Sequence, residues 1–405
     1  MTMGVGGSTV EVELAKMTAM RNDINPIATE EYEGRQKKAQ ALMRSQGMSA
    51  LYLDASTSLY YFTGMRLHAS ERLHGAILTA EGELTYLCPA FEAEKTRAMM
   101  QMAGGLATWE EHEDPTALVI AVIQKSGLRS GAVGIDETTP FFIFDGLRRA
   151  GNSFDFVNGA SVTGACRMIK SAAEIALMQA AKTITLQVHQ ATARILHEGI
   201  TTAEVQDFIT AAHMRLGADE PPGFRIVLFG EATAYPHGVP YTQRLKPGEM
   251  VLIDTGAPIE GYTSDITRSY VFGTPTQRQR EIWNTEKAAQ AAAFAAARVG
   301  EPCEAVDQAA RRVIEAAGLG PDYKVPGLPH RTGHGIGLDV HEWSYLVKGN
   351  RMSLAPGMCF SNEPMICIYG EFGIRLEDHF YMTEDGPRWF TQPSHSIDDP
   401  FGLEA

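Results

Sequence analysis

Residues 248–273 read GEMVLIDTGAPIEGYTSDITRSYVFG and contain two apolar runs around a turn rich in Gly and Pro. This pattern predicts two strands joined as a hairpin, with Asp254 on the first strand and Asp265 on the second. Side chains alternate between faces along a strand, so Asp254 shares its face with Leu252 and Gly256. An aspartate that ends an apolar strand must be paired, solvated or bound to a metal, because burial of a lone charge costs too much free energy. Taken alone, either aspartate could equally be a turn-capping residue.

Two later segments contain further groups that bind metals in proteins. Residues 328–342, LPHRTGHGIGLDVHE, hold three histidines within twelve positions, among glycines that let the backbone pass close to whatever the imidazoles serve. Residues 359–386, CFSNEPMICIYGEFGIRLEDHFYMTEDG, predict a second hairpin, with Glu363 before a proline and Glu377 fourteen residues later. Each glutamate alone could be a loop residue or an ion-pair partner. Their joint occurrence with the two aspartates and a histidine favours one shared site.

The chemistry of this set predicts a metal centre. Four carboxylates and one imidazole form an oxygen-rich group that suits Mn, Co, Fe or Zn better than a structural zinc site, which prefers thiolates. Four negative charges close together would repel one another, and two divalent ions about 3.5–4 Å apart would offset that repulsion. Metal pairs of this kind activate water, so we expect a hydrolytic reaction.

Composition restricts the class of protein. At 405 residues the chain exceeds the size at which one hydrophobic core keeps growing, which favours two domains. Its net charge of −14 and its lack of clustered Lys and Arg argue against nucleic acid as a partner. Five cysteines without CxxC spacing indicate reduced, buried thiols. No signal-like start and no apolar stretch long enough to cross a membrane occur, so we expect a cytoplasmic protein.

The organisation of the chain predicts a domain boundary near residue 165. Residues 1–165 are predicted to form a small α/β domain, in which residues 1–26 are an extension and the remaining segment alternates helical and strand patterns. From residue 166 the pattern changes to a long helix, for which Ser171 and Glu174 form a capping box. Residues 166–405 contain further helical stretches at about 202–217 and 276–318 among strand-rich segments, which predicts an α+β domain with a mainly antiparallel sheet.

The order and spacing of these motifs resemble a known family of enzymes. The motifs are DTGAPIEGYTSD at 254–265, HRTGHGIGLDVHE at 330–342, SNEP at 361–364 and GIRLED at 373–378. They resemble the proline-specific metallopeptidases prolidase and aminopeptidase P, of the pita-bread family that includes methionine aminopeptidase and creatinase. A weaker likeness covers residues 51–65, LYLDASTSLYYFTGM. The resemblance implies a C-terminal pita-bread domain with a curved, mainly antiparallel sheet and flanking helices, and a smaller N-terminal creatinase-like α/β domain.

The resemblance also implies a role for each site residue. Asp254 binds one metal, Asp265 bridges both, and His334, Glu363 and Glu377 complete the pair. Glu363 is in addition the general acid/base. His237 contacts the substrate near the scissile bond, His341 stabilises the tetrahedral intermediate, and His330 lines the proline pocket. Arg375 orients the neighbouring carboxylates.

The activity implied by the resemblance is hydrolysis of the Xaa-Pro bond in dipeptides or short peptides, by two divalent ions. Mn is the expected metal, with Co or Zn as alternatives, and a homodimer is the expected assembly. One alternative is an aminopeptidase P, which removes an N-terminal residue before proline. A more distant alternative is a non-peptidase member, such as a metal-dependent lyase or a creatinase-like enzyme.

Two positions depart from the family pattern. Cys367 stands where many relatives have a tyrosine near the active site. Tyr345 stands where prolidases commonly have an arginine that binds the carboxylate of the substrate proline. Arg351 is the substitute candidate for that arginine. The second departure bears on the distinction between a dipeptidase and an aminopeptidase.

Overall fold

The computed structural model describes residues 1–403. The α-helices are α1 (Val10–Lys16), α2 (Thr29–Ser45), α3 (Thr57–Thr63), α4 (Ala93–Met99), α5 (Pro115–Lys125), α6 (Phe141–Ala150), α7 (Ala160–Arg167), α8 (Ala172–Ile195), α9 (Thr202–Leu216), α10 (Gln277–Ala296) and α11 (Cys303–Ala316). Short 3₁₀ helices cover Ala90–Glu92 and Gly230–Ala234. The strands are β1 (Met48–Asp54), β2 (Gly75–Thr79), β3 (Leu84–Pro89), β4 (Gly105–Trp109), β5 (Gly131–Ile135), β6 (Phe154–Asn158), β7 (Phe224–Phe229), β8 (Met250–Gly256), β9 (Pro258–Ile259), β10 (Tyr262–Thr263), β11 (Ile266–Val271), β12 (Gly333–Gly335), β13 (Glu342–Leu346), β14 (Cys359–Asn362), β15 (Met365–Ile368), β16 (Phe372–Arg375), β17 (Asp378–Thr383) and β18 (Gly386–Trp389).

The chain divides into two compact units. The N-terminal unit is Ile27–Arg167, and the C-terminal unit combines Met1–Pro26 with the chain from Met168 onward. The boundary predicted at residue 165 lies two residues before this division.

The N-terminal unit is built on a mixed sheet of six strands. The strand order is β4-β3-β2-β1-β5-β6, with β1 parallel to β5 and antiparallel to β2. Helices α5 and α6 bury apolar side chains against this sheet, including Val119 and Leu147 in one core with Tyr52 and Val133. Connections through helices allow neighbouring strands to run parallel. The α/β class predicted for this part of the chain is confirmed.

The C-terminal unit is an α+β fold in which every strand pair within residues 1–403 is antiparallel. One sheet has the order β11-β8-β7 and another β13-β12-β14-β17-β18. Helices α10 and α11 bury Trp283 and Val306 in one core with Leu252 of β8 and Ile374 of β16. Burial of helix faces against these sheets fixes the antiparallel arrangement that the hairpin patterns predicted.

The long helix of this unit begins as its sequence predicted. Ser171 is the N-cap of α8, where its side chain accepts from the backbone N–H of Glu174 and the Glu174 side chain accepts from the backbone of Ser171. The predicted helical stretch at 276–318 consists of two helices, because residues 297–302 interrupt it. Pro302 precedes α11, and a proline lacks the N–H that a continuous helix would need at that point.

The first 26 residues require a correction. We assigned them to the N-terminal domain as an extension, whereas they pack with the C-terminal unit. Glu13 of α1 is buried, accepts from Ser8 and Lys16, and forms an ion pair with Arg194 of α8 at 2.7 Å. These contacts hold the segment because a buried carboxylate must be paired. The sequence signal was weak, since the partner lies 181 positions away.

Two general expectations about the chain are tested by the model. All five cysteines are buried and free of disulfides, in agreement with reduced thiols. Among the helices of residues 1–403, we find none with the length and hydropathy of a membrane-spanning segment.

Candidate metal centre

The first two acidic residues are positioned by β8 and by the bend before β11. Asp254 lies within β8, opposite Thr267 of β11, and Asp265 immediately precedes β11. A Cβ atom on Gly256 would lie only 1.7 Å from the carbonyl oxygen of Ser264, so the chain can close this bend only with glycine. Both aspartates are buried. The predicted hairpin therefore brings them together, with Asp265 at the end of a strand rather than inside one.

His334 lies on β12 and is oriented by its backbone surroundings. Its N–H donates to Ser361 Oγ at 2.8 Å, and its Nδ1 lies 3.0 Å from the carbonyl oxygen of Gly335. A carbonyl only accepts, so Nδ1 carries a proton and Nε2 faces the carboxylates. Nε2 is 3.1 Å from Glu363 Oε1 and 3.6 Å from Asp265 Oδ2. A ring nitrogen among carboxylate oxygens needs a cation between them, either a proton or a metal ion.

The two glutamates lie at breaks between strands. Glu363 follows β14, where its N–H donates to Thr332 O at 2.9 Å and its Oε1 accepts from Ser361 at 3.1 Å. Glu377 precedes β17, where its N–H donates to Thr267 O at 3.1 Å and its Oε2 accepts from Thr267 Oγ1 at 2.7 Å. The hairpin predicted between them is β15 and β16. Backbone bonds to other segments thus fix where both carboxylates point.

Arg375 connects the aspartate and glutamate sides of the cluster. Its Nη2 lies 2.5 Å from Asp254 Oδ2, and its Nε donates at 2.9 Å to Thr267 Oγ1, which itself donates to Glu377. Its Nη1 donates to Pro236 O at 3.1 Å. The guanidinium is buried, so it holds these carboxylates in fixed orientations, as the resemblance implied.

The donor atoms of the cluster fit divalent metal ions. Three groups have ligand atoms within 4.8 Å of one another: Asp265 with His334 and His341, Asp265 with Glu377 and His379, and His334 with Glu363 and Glu377. Within residues 1–403, six buried carboxylate oxygens have no hydrogen-bond donor, and three of them belong to this cluster: Asp254 Oδ1, Asp265 Oδ1 and Glu377 Oε1. Buried acceptors without donors are costly in a native protein, and a cation would satisfy all three.

The electrostatics of the cluster support the same interpretation. Burial raises the pKa of Asp265 well above its usual range, and the negative charges of Asp254 and Glu363 act in the same direction. Burial also raises the pKa of Glu377 well above its usual range, and the negative charges of Asp265 and Glu363 add to this effect. Burial also acts to raise the pKa of Glu363, but the hydrogen bond and charge of His334 outweigh it and lower that pKa. The carboxylates therefore resist being charged together unless a cation is close.

The remaining predicted histidines border the cluster. The ring of His341 lies edge to face with that of His334, with 4.2 Å between centroids. Burial lowers the pKa of His341, and with the positive charges of His334 and Arg331 nearby this pKa is about 4. His237 is exposed and close enough for its charge to lower the pKa of both His330 and His341. The structure therefore brings His341 against the ligand cluster and places His237 and His330 close enough to feel charges of the site.

Sequence reasoning did not single out two residues at this site. His379 lies two positions after Glu377 and shares its face of the sheet, a signal that the period of a strand contains. Arg331 places its guanidinium over the ring of Tyr345, 4.2 Å from the centroid, a relation that no sequence pattern contains.

The other departures from the family pattern are also located. Cys367 is buried within β15, where its backbone pairs with Gly327. Arg351 is exposed, and within residues 1–403 it makes no hydrogen bond or ion pair with a site residue. The structure does not support Arg351 as the substitute for the missing arginine.

Comparison with known proteins agrees with this fold. Residues 176–384 match the family model described as metallopeptidase family M24, and residues 35–169 match the creatinase/prolidase N-terminal domain. A dipeptidase PepE from Mycobacterium ulcerans is 32% identical, with a TM-score of 0.85 over 92% of this chain and 99% of that one. A dipeptidase from Pyrococcus horikoshii is 32% identical, with a TM-score of 0.82 over 90% and 99%. A prolidase from Thermococcus sibiricus is 30% identical, with a TM-score of 0.83 over 90% and 98%.

Proposed function

Since the chain belongs to metallopeptidase family M24, we propose that it is a dipeptidase that hydrolyses the Xaa-Pro bond of dipeptides and short peptides with two divalent metal ions. The family identifies the enzyme class. The proline specificity, the short substrates and the number of metal ions are the proposal.

The observation that carries this proposal is the convergence of the acidic residues around Arg375 and His334. Three buried carboxylates and that of Glu363 share a single guanidinium, so one divalent ion would leave negative charge in excess, whereas a pair would not. When bound, divalent ions in such a site supply Lewis acidity, which polarises a substrate carbonyl and makes water acidic at neutral pH. The set of Asp254, Asp265, His334, Glu363 and Glu377 would hold them.

Glu363 is suited to proton transfer. Its Oε1 lies beside Ser361 Oγ and His334 Nε2, and its side chain is only half-buried, unlike those of Asp265 and Glu377. The lowered pKa keeps Glu363 ionised, so its carboxylate could take a proton from the attacking water. It would then deliver this proton to the leaving nitrogen.

The histidines outside the ligand set would contact the substrate. His341 is neutral because its pKa is lowered to about 4, so one ring nitrogen carries a proton that it would donate to the oxygen of the reacting carbonyl. His237 lies close enough to His330 for its charge to lower the pKa of that ring. An Xaa-Pro bond has no N–H to offer, so recognition must rest on the proline ring and on groups beyond the bond.

Arg331 would bind the terminal carboxylate of a dipeptide. It is half-buried, close enough to lower the pKa of His341, and stacked on Tyr345, which occupies the family's arginine position. An arginine stacked on an aromatic ring keeps its planar donors free for bidentate binding of a carboxylate. The positive charge for the substrate carboxylate would thus come from Arg331, just before β12, and not from residue 345 on β13. Its presence favours a dipeptidase.

An aminopeptidase P is the second candidate, favoured by the presence of Tyr345 itself. A tyrosine at this position carries no positive charge for the carboxylate of a C-terminal proline. The two activities differ in one requirement, since a dipeptidase needs the free carboxylate directly on the proline.

The test compares an Xaa-Pro dipeptide with an Xaa-Pro-Xaa tripeptide after loading the metal-free protein with Mn, Co or Zn. We expect cleavage of the dipeptide, with little or none of the tripeptide. Cleavage of the tripeptide alone would reassign the protein to aminopeptidase P. Cleavage of neither peptide, with metal bound, would refute the proline specificity.

Substitution Arg331→Met tests the carboxylate contact. We expect KM for the dipeptide to rise about 10- to 100-fold, because a charge-assisted hydrogen bond is worth about 1.5–3 kcal/mol. KM for the matching Xaa-Pro amide, which has no terminal charge, should change little. Arg351→Met is the matched control and should leave both constants unchanged. An equal rise for dipeptide and amide would contradict the role of Arg331.

A further inference from the structure

His379 is a fully buried histidine next to the metal centre that has no role in the mechanism above. It lies on β17, opposite Ser361 of β14, and points to the same side of the sheet as Glu377. Asp378, between them, points the other way, where it forms an ion pair with Arg268 at 2.7 Å. The strand therefore delivers a carboxylate and an imidazole to one place.

Neither ring nitrogen of His379 has a hydrogen-bond partner within residues 1–403. Other buried histidines of the same unit differ in this respect. His213 uses both nitrogens, with Thr185 Oγ1 and Ile209 O each at 3.0 Å, and His189 Nε2 lies 2.8 Å from Ile266 O. A buried polar group without a partner costs about 1–3 kcal/mol, so His379 needs an explanation.

The atom that His379 faces also lacks a partner. Its Nε2 is 3.8 Å from Glu377 Oε1, a carboxylate oxygen without a donor. This separation is too long for a hydrogen bond. Nitrogen and oxygen donors bind divalent metals at about 2.0–2.2 Å, so two donors on one ion are about 3–4.2 Å apart. The observed separation falls in that range, and Asp265 supplies a third atom within 4.8 Å.

From this geometry we infer that His379 is a further metal ligand, binding an ion together with Asp265 and Glu377. Coordination through Nε2 would satisfy that nitrogen and the oxygen of Glu377 at once. The remaining Nδ1 proton is a single donor, which one buried water can accept. The inference rests on the proposed metal centre and adds a sixth residue to it.

A second imidazole changes the metal that this site prefers. Carboxylate and water ligands suit Mn and Mg, whereas imidazole nitrogen favours Co, Zn and Fe. With both His334 and His379 as ligands, the centre should discriminate against Mn more strongly than a centre with one imidazole.

The experiment counts the nitrogen ligands of the unmodified protein. The metal-free protein is loaded with Mn and studied by pulsed electron paramagnetic resonance, with and without ¹⁵N-labelled histidine. We expect couplings from two directly bound imidazoles. Coupling from only one would overturn the inference while leaving the metal centre in place. Absence of bound Mn, Co and Zn alike would instead refute the proposed function.

The variant His379→Asn identifies the second nitrogen. We expect it to lose one imidazole coupling and to bind Co and Zn about tenfold or more weakly, with a smaller loss for Mn. His213→Asn is the matched control, because it removes a buried histidine of the same unit that has its partners. It should keep both couplings and the affinity. Unchanged couplings and affinity in His379→Asn would show that the ring only fills space.

Discussion

At the scale of single residues, the site combines groups with opposite requirements. The pKa values of Asp265 and Glu377 are raised, which disfavours their charged forms. The pKa of Glu363 is lowered, because His334 donates a hydrogen bond to its carboxylate. The difference follows from position, since Glu363 has a cationic partner at 3.1 Å and the other two face mainly carboxylates. Environment rather than residue type therefore decides which of these three carboxylates stays charged without a metal.

Substitution Glu363→Ala should abolish turnover. Loss of a general acid/base costs about 10²- to 10⁴-fold in rate, and the alanine variant loses a metal ligand as well. Glu363→Gln keeps an oxygen ligand but cannot carry the proton, so we expect a similar loss of kcat with more metal retained. Steady-state rates and metal content measure both effects. Glu371→Ala, in the exposed turn between β15 and β16, is the control, and retained activity in Glu363→Ala would contradict the assigned role.

At the scale of elements, the close approach of β12 and β14 sets the position of His334. A Cβ atom on Gly333 would lie 2.1 Å from Ser361 O, so these strands can meet only because residue 333 is glycine. The same contact brings Ser361 Oγ to the N–H of His334 and to Glu363. One small residue thus fixes the spacing of two predicted ligands.

Substitution Gly333→Ala should separate these strands and displace His334. We expect a loss of about 1–3 kcal/mol in stability, as for other overpacked positions, together with weaker metal binding. Chemical denaturation and metal titration measure the two effects. Gly223→Ala is the control, because a Cβ there meets no atom within 4 Å and its backbone needs no positive φ. Unchanged metal affinity in Gly333→Ala would show that β12 can adjust without moving the ligand.

At the scale of the whole molecule, buried neutral histidines make stability depend on pH. Burial lowers the pKa of His213 to about 4, although its bond to Ile209 acts in the opposite direction. An unfolded histidine titrates near pH 6.5. Between these values the unfolded chain binds a proton that the native protein does not, so stability falls as the pH is lowered from about 6.5 to about 4.

The variant His213→Gln should show a weaker dependence on pH over this range. Because each pKa unit corresponds to about 1.4 kcal/mol, the free energy of unfolding of the unmodified protein should fall by about 3 kcal/mol more than that of the variant. Urea denaturation of both proteins between pH 4 and 7, with chelator present, measures this difference. The site carboxylates titrate in both proteins, so their contribution cancels. Parallel pH profiles would show that His213 becomes protonated without unfolding.

The sequence by itself determined the local structure of the site segments and the side chains that are candidate metal ligands. The capping box at Ser171 and the hairpin from Asp254 to Asp265 follow from short windows of apolar periodicity and turn residues. The five predicted ligands could be named for the same reason, because their motifs are contiguous. The caps and hairpins predicted from these windows are present in the folded protein, because they depend only on neighbouring residues in the chain.

Only the tertiary structure decided relations between distant segments. It assigned residues 1–26 to the C-terminal unit, placed Arg331 over Tyr345, and left both ring nitrogens of His379 without a hydrogen-bond partner among residues 1–403. Which partner a buried group meets depends on how sheets and helices pack, and the free energy of that meeting comes from burial and charge. The sequence shows that a side chain has the chemistry to bind a metal or a carboxylate. Only the tertiary structure shows whether another segment of the chain already occupies that side chain.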